Sequence, residues 1–477
     1  MNLINKRSKL VATIGPSSDN YDTLRSLIEN GVTTVRANFS HGDHSEQLNK
    51  FVLGQQISKD LRIPVSLMLD TKGPEIRVGK MKDGAQQIKA GTELTIWTTE
   101  EKYKNFEGTE TEITVAYDMS ADLIVGNQVL LDDGKLSTVV TEVGKGYVKA
   151  KAENSHKLKT NKRINLPGVD FTLPFLAQKD IDDVIFGIKS GINYVAASFV
   201  NSAKNVKELR ELLNANGGEH VQIISKIESH LGVTNIDEII AESDGIMVAR
   251  GDLGLEIPYY DVPYFQKVMI RKCREAGKPV IVATQMLDSM ENNPHPTRAE
   301  VTDVYLATEL GADSTMLSGE SANGKFPLES VKVMSAINRR AEKEFYSKNY
   351  YDVQLEEVRK NSDSENPRSL IAYEVANRVR RGDYKYAVVL SRTGELLKEV
   401  AKFRPNTAII GIVNNEKMIN AFGVTSSVFT SVDSLRLFNE IKNNHANATE
   451  ALEPYEPQPG DKYLVVENHS ITEHVVK

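Results

Sequence analysis

Eight short apolar runs rich in β-branched residues punctuate the first two-thirds of the chain, and most of them end on charged or hydroxyl residues. In order they are LVATIGP from Leu10, TTVRANFSHG from Thr33, VSLMLDTKG from Val65, YVAASFV from Tyr194, QIISKIES from Gln222, GIMVARGDL from Gly245, VIVATQM from Val280 and STMLSGES from Ser314. An apolar run bounded by turn residues reads as a strand buried on both faces, and eight of them alternating with amphipathic stretches predict a (β/α)8 TIM barrel. Chemistry on such a barrel sits at the C-terminal ends of the strands. That face would carry Arg36, Asn38, Ser40, Asp70, Thr71, Lys226, Glu228, Asp252, Thr284 and Glu320.

Between the third and fourth runs the pattern changes. ELTIWTT, EITVAYD, NQVLLDD, LSTVVTEV and YVKAKAE alternate roughly with period two and are separated by turns such as Asp132-Asp133-Gly134, which predicts an inserted all-β domain, a small barrel. It leaves at Thr71 to Pro74 and returns near Leu166-Pro167-Gly168, so it overhangs the polar face as a lid. After a long helix from Pro327 comes a charged stretch, Glu356 to Pro367, where a domain boundary is expected. Beyond it, helix SLIAYEVANRVRR, strand YAVVLSRTG, helix ELLKEVAKF, strand TAIIGIVNN, helix EKMINAFG and strand KYLVV predict an open α/β sheet. The expected division is residues 1–71 and 170–345 for the barrel, 72–169 for the lid and 346–477 for the C-terminal domain.

Composition narrows the field. With 477 residues the chain exceeds a single ordinary core. A net charge of −7 argues against a general nucleic-acid binder. No apolar run reaches the ~18 residues of a membrane span, and the first residues lack a signal peptide's apolar core, so a cytoplasmic protein is expected. The single cysteine, Cys273, excludes an intrachain disulfide and reads as a structural thiol in the helix before the seventh strand.

Lys226 and Glu228 lie two apart on one strand, so both point to one face. A structural ion pair closing the barrel mouth is the bland reading. The next strand ends Arg250-Gly251-Asp252-Leu253-Gly254, where the glycines let backbone amides approach an anion. Glu228 and Asp252 together offer two hard oxygen ligands without a histidine or cysteine cluster, a set better suited to Mg2+ or Mn2+ than to zinc. Arg36, Asn38 and Ser40 share one face of the second strand as an anion clamp beside a cation site. Asp70 ends the third strand, and Gly73-Pro74 forms a hinge that would carry Arg77 with the lid. Cations for a polyanion, oxygens for a metal and a central lysine together point to phosphoryl transfer.

Several stretches resemble the pyruvate kinase family: Thr13-Ile-Gly-Pro-Ser17, Arg36-Ala-Asn-Phe-Ser-His-Gly42, Leu69-Asp-Thr-Lys-Gly-Pro-Glu-Ile-Arg77, Ser225-Lys-Ile-Glu228, Met247-Val-Ala-Arg-Gly-Asp-Leu-Gly254, Ala283-Thr-Gln-Met286 and Met316-Leu-Ser-Gly-Glu320. The resemblance covers the barrel in order and is weak in the C-terminal domain. It implies transfer of the phosphoryl group of phosphoenolpyruvate to ADP, giving ATP and pyruvate, in a homotetramer. By that resemblance Glu228 and Asp252 hold the divalent metal, Lys226 faces the moving phosphoryl group and Arg36 clamps it. Ala249, Arg250, Gly251 and Asp252, with the Thr284 hydroxyl, cradle the carboxylate, and Thr284 lies near the point of enolate protonation. Asn38, Ser40, Asp70 and the Thr71 carbonyl resemble a K+ site. His41, Arg77 and Asn38 face the nucleotide, which brings a second magnesium. A glutamate at the position of Glu75 goes with potassium dependence in that family.

The resemblance breaks in several places, among them Leu231, where the family carries an acid or amide. Asn201-Ser202 stands where the family carries a basic residue. The family's effector-phosphate loop is altered to Ser391-Arg392-Thr393-Gly394-Glu395-Leu396, with its last hydroxyl replaced, and the loop after Val465-Val466 is short. Weak or absent activation by fructose 1,6-bisphosphate is therefore expected. Two other classes compete: a metal-dependent barrel aldolase or mutase working through an enolate, which needs no nucleotide site, and a catalytically silent metabolite sensor, which would not need Lys226, Glu228, Asp252, Arg36 and Thr284 intact.

Overall fold

A computed structural model of the chain describes residues 3–169, 173–347, 350–468 and 470–477. All eight apolar runs become strands: Lys9–Thr13, Thr34–Asn38, Ser66–Asp70, Tyr194–Ala197, Gln222–Ile227, Gly245–Ala249, Val280–Ala283 and Ser314–Leu317. They close in chain order into a parallel barrel, the first strand pairing with both the second and the eighth. Every strand residue from Gln222 to Ala249 in the fifth and sixth strands is buried, as expected of strands covered by helices outside and packed side chains within. Val11, Met68, Tyr194, Ile224, Met247, Ile281 and Met316 fill the interior.

The inserted segment forms a seven-stranded sheet from Ile76–Arg77 to Arg163–Asn165 and a separate pair, Ala85–Ile88 with His156–Lys159. The sheet curls until its edges approach, where Val78 bridges Val115 and the Gly79 N–H donates to the Thr114 carbonyl at 2.7 Å. Five of its strands coincide with the alternating runs. Those at 85–88, 156–159 and 163–165 are short and too polar to stand out. The lid departs through Gly73, whose φ of +70° and approach to Ser198 leave no room for a side chain: a Cβ there would lie 2.7 Å from that of Ser198. The expected return of the chain to the barrel at residue 170 lies outside the described residues.

In the C-terminal region a five-stranded sheet has the order Val428–Thr430, Ala408–Val413, Tyr384–Ser391, Lys462–Glu467, Ser470–Val475, with only the last strand antiparallel. Two expectations need correction here. The charged stretch expected to be a boundary belongs partly to a helix, Tyr350–Lys360, whose Tyr351, Leu355 and Val358 enter the domain core. The segment EKMINAFG is no helix beyond a single turn at Glu416–Met418. Its continuation instead plugs the N-terminal mouth of the barrel: Tyr194 and Gln222 donate to the Ala421 carbonyl at 2.7 and 2.6 Å, Ser66 donates to that of Asn420, and Val424 joins the interior cluster. Those tertiary bonds override a local helical preference. The strand Lys462–Glu467 is followed by an antiparallel partner, Ser470–Val475, so the connection after it is short, as expected.

Candidate active site

A cleft of about 340 Å³ opens at the C-terminal mouth of the barrel, beneath the lid. Its floor is a charge chain. The Lys226 Nζ lies 3.0 Å from Asp70 Oδ1, 3.1 Å from Glu228 Oε1 and 2.7 Å from the Ser198 hydroxyl. The Arg36 Nε donates to the other Asp70 oxygen at 2.8 Å, and its Nη1 donates to Thr13 at 2.6 Å. Asp70 therefore stands between two cations. Burial alone would raise its carboxyl, but Arg36 and Lys226 together hold it below the usual range. Lys226 remains charged for the converse reason: burial disfavours its ammonium, and Asp70 and Glu228 outweigh that cost.

Glu228 is pushed up to about 7, first by burial, with Lys226 pulling it down and the neighbouring Asp252 raising it again. Its Oε2 accepts from the Phe199 N–H at 2.8 Å. Two carboxylates facing one buried cleft repel each other and call for a cation, and hard oxygens with room for water and substrate fit Mg2+ or Mn2+. No group of three or more His, Cys, Asp or Glu that could hold a metal occurs among the described residues, so the rest of a coordination shell would come from solvent and substrate.

The backbone at this mouth is strained. Phe199, Thr284 and Gln285 have φ of +55°, +66° and +52°, each in a region that costs a residue with a side chain about 1–3 kcal/mol. These are the residues that follow the fourth and seventh strands. The strain turns the Phe199 amide onto Glu228 and the Thr284 hydroxyl onto the start of the helix Arg250–Glu256, where Thr284 Oγ1 accepts from the Gly251 N–H at 2.7 Å and donates to the Ala283 carbonyl at 2.6 Å.

Of the residues singled out in the sequence, Arg36, Asn38, Ser40, His41, Asp70, Glu75, Arg77, Lys226, Glu228, Ala249, Asp252 and Thr284 meet around the cleft. Others do not. Arg250, Gly251 and Asp252 form the first turn of a helix, and the Arg250 side chain turns away to pair with Asp303 at 2.5 Å and to donate to the Thr284 carbonyl. The Thr71 carbonyl accepts from Ser198 at 2.7 Å. Glu320 is buried, accepting from the Leu287 and Ser318 N–H groups, and it braces the loops after the last two strands. Asn38 Oδ1 accepts from the Ser40 N–H at 3.0 Å. Arg77 does not reach free into the cleft: it pairs with Glu75 at 2.7 Å and donates to the Asn161 carbonyl. Ser391, Arg392 and Thr393, but not Gly394, line a separate cleft of about 630 Å³ in the C-terminal domain, together with Glu395, Glu467, Arg368 and Lys442. Gly394, with φ +86°, precedes the helix Glu395–Lys402.

Sequence reasoning missed Ser198 and Arg163. Ser198 directly follows the fourth strand, the position at which a barrel residue reaches the site, and that was its only signal. Arg163 lies on a lid strand. Its Nη1 donates to Asp252 Oδ1 at 2.5 Å, and its guanidinium rests 4.7 Å from the centre of the Phe199 ring. Nothing local in Arg163-Ile164-Asn165 announces that contact.

Residues 5–331 match the family model described as pyruvate kinase, barrel domain. The chain is 42% identical to a pyruvate kinase of Mycoplasma pneumoniae, with 89% of each chain covered, and 38% identical to one of Clostridium acetobutylicum, with 96% of this chain and 95% of that one covered. Among solved structures it is similar to a pyruvate kinase of Cryptosporidium parvum, at a TM-score of 0.91 and 34% identity over 99% of this chain and 97% of that one.

Proposed function

The chain belongs to the pyruvate kinase family and is an enzyme of that activity, and we propose that it moves the phosphoryl group of phosphoenolpyruvate to ADP through the cleft built on Lys226, with a divalent ion and K+ as cofactors. The observation that carries this reading is the position of Lys226 Nζ, 3.0 Å from Asp70 and 3.1 Å from Glu228 on the floor of a cleft that also holds Arg36 and Asp252. Phosphoryl transfer asks little covalent work of a protein. The acceleration comes from charge fixed where the transition state needs it, inside a site closed to bulk water.

Each side chain then has a task. Arg36, anchored through Nε and Nη1, holds the phosphate of the substrate. Lys226, kept protonated by Asp70 and Glu228, faces that phosphate and neutralises charge on the equatorial oxygens as the bond to the enol oxygen breaks and the bond to the ADP oxygen forms. The start of the helix Arg250–Glu256 and the Thr284 hydroxyl receive the carboxylate. Departure of the phosphoryl group leaves an enolate, which takes a proton at its methylene carbon to become pyruvate, and Thr284 orients the water on that side. Glu228 and Asp252 would hold the divalent ion, whose contribution when bound is to polarise the enolate and phosphoryl oxygens as a Lewis acid. Asn38, Ser40 and Asp70, which share the wall next to Arg36, would take K+. Glu75 supports that reading, because the carboxylate, paired with Arg77, brings no positive charge of its own to replace the ion. His41 lies at the outer rim, where the nucleotide phosphates would enter. The altered loop at Ser391 to Gly394, with carboxylates in its cleft, supports weak or absent response to fructose 1,6-bisphosphate.

The test is pyruvate formation from phosphoenolpyruvate and ADP with Mg2+, in K+ and then in tetramethylammonium buffer. ADP-dependent turnover that collapses without K+ is the expected result. Equal turnover in both buffers would overturn the potassium assignment, and pyruvate formation independent of ADP would overturn the reaction.

A further inference from the structure

The lid and the barrel meet at a two-point contact. On the lid strand Arg163–Asn165, Arg163 and Asn165 are two apart and share a face; on the helix Arg250–Glu256, Asp252 and Glu256 are four apart and share a face. The two faces match: Arg163 Nη1 donates to Asp252 Oδ1 at 2.5 Å, and Asn165 Nδ2 donates to Glu256 Oε1 at 3.1 Å. Beside them the turn at Gly134 packs on Leu255. The guanidinium of Arg163 also lies over the Phe199 ring, whose own amide holds Glu228, and its Nε is 3.9 Å from Glu75. The remaining nitrogen, Nη2, is buried without a hydrogen-bond partner. A buried, charged donor of this kind is costly unless something completes it.

We propose that Arg163 is a positioning residue that stands in for the divalent cation: without metal it neutralises Asp252 and holds the lid down, and metal binding at Asp252 releases it so that its free Nη2 turns to an anionic phosphate of the nucleotide. The inference rests on the reading of Glu228 and Asp252 as the metal ligands. Its content is a competition. The Asp252 carboxylate that accepts from the guanidinium at 2.5 Å is also the metal's proposed ligand, and two cations on one carboxylate repel each other, so occupancy of the metal site and docking of the lid are thermodynamically linked. Asn165 and Glu256 keep a second point of attachment, so the lid remains hinged near the barrel when the first is exchanged.

The experiment is a Mn2+ titration followed by electron paramagnetic resonance, without substrates, on the full chain as wild type, Arg163→Gln, Arg163→Lys and Asp252→Asn. Amide hydrogen exchange of the lid is measured in parallel. A charged donor bonded to the metal's own carboxylate and weakened by the metal's charge corresponds to roughly tenfold or more in affinity. Arg163→Gln should therefore bind Mn2+ at least about tenfold more tightly. Its lid amides should exchange faster than those of metal-free wild type, and Arg163→Lys should fall between the two. Unchanged or weaker Mn2+ affinity in Arg163→Gln, with binding lost in Asp252→Asn, would overturn the competition and leave the metal site standing. Full Mn2+ binding by Asp252→Asn would remove the metal assignment and the inference with it. Should Arg163→Gln fail to fold, Arg163→Lys carries the same comparison, and affinity equal to wild type there overturns the proposal.

Discussion

Glu256 is the second anchor of the lid, and its environment makes a quantitative claim. Burial raises its carboxyl from 4.5 to about 7, with Asn165 and Arg163 lowering it and Asp252 adding to the rise. A carboxyl that is raised in the folded state binds more protons there than in the unfolded chain between those two values. Stability is then lost as pH rises through that window. Replacing the group by its neutral isostere, Glu256→Gln, keeps an oxygen to accept from Asn165 and removes the ionisation cost. With folded and unfolded values near 7 and 4.5, the variant should gain about 2.5 kcal/mol on wild type between pH 5 and pH 8. The assay is urea unfolding at the two pH values, followed by the fluorescence of Trp97, the only tryptophan, which lies on the lid strand Glu93–Trp97 and so reports the region concerned. A stability difference between the two proteins that is the same at pH 5 and pH 8, or a variant that loses ground as pH rises, would refute a raised Glu256 carboxyl.

Two further outcomes follow from the charge chain and the altered loop. Asp70→Asn leaves Arg36 and Lys226 buried beside each other without their shared counter-ion, so it should destabilise the fold by about 3 kcal/mol or more, read as a lower urea midpoint, and should lower turnover; wild-type stability would show that Asp70 is not needed to hold the two cations. Adding fructose 1,6-bisphosphate should leave the phosphoenolpyruvate saturation curve where it was, and a left shift of the curve would show that Ser391, Arg392 and Thr393 still form a working effector site.

The barrel was legible because a parallel strand covered on both faces has to be apolar from end to end, and only its last residues are free to be polar. That is why Arg36, Asp70, Lys226, Glu228 and Thr284 stood out by position as well as type. The helix Tyr350–Lys360 was also present in the pattern, as Tyr351, Leu355 and Val358 at helical spacing, but its charged exterior masked it. The segment after Glu416 misled because its fate is decided by Tyr194, Gln222 and Ser66 at the mouth of the barrel, far away in sequence. Arg163 was invisible for the same reason. Its partner Asp252 is 89 residues away, and the contact exists only once the lid strand and the helix Arg250–Glu256 are brought face to face.

Lys226 is the centre of the account, and Lys226→Met tests it most directly, since methionine fills the space of the side chain without its charge. Pyruvate formation from phosphoenolpyruvate and ADP, with Mg2+ and K+ present, should fall by at least ~100-fold, the scale on which losing one positioned charge in a closed site is felt. The lid fluorescence of Trp97 should show the variant still folded. A variant that is folded and turns over at the rate of wild type would contradict the role assigned to Lys226 and, with it, the electrostatic reading of the cleft.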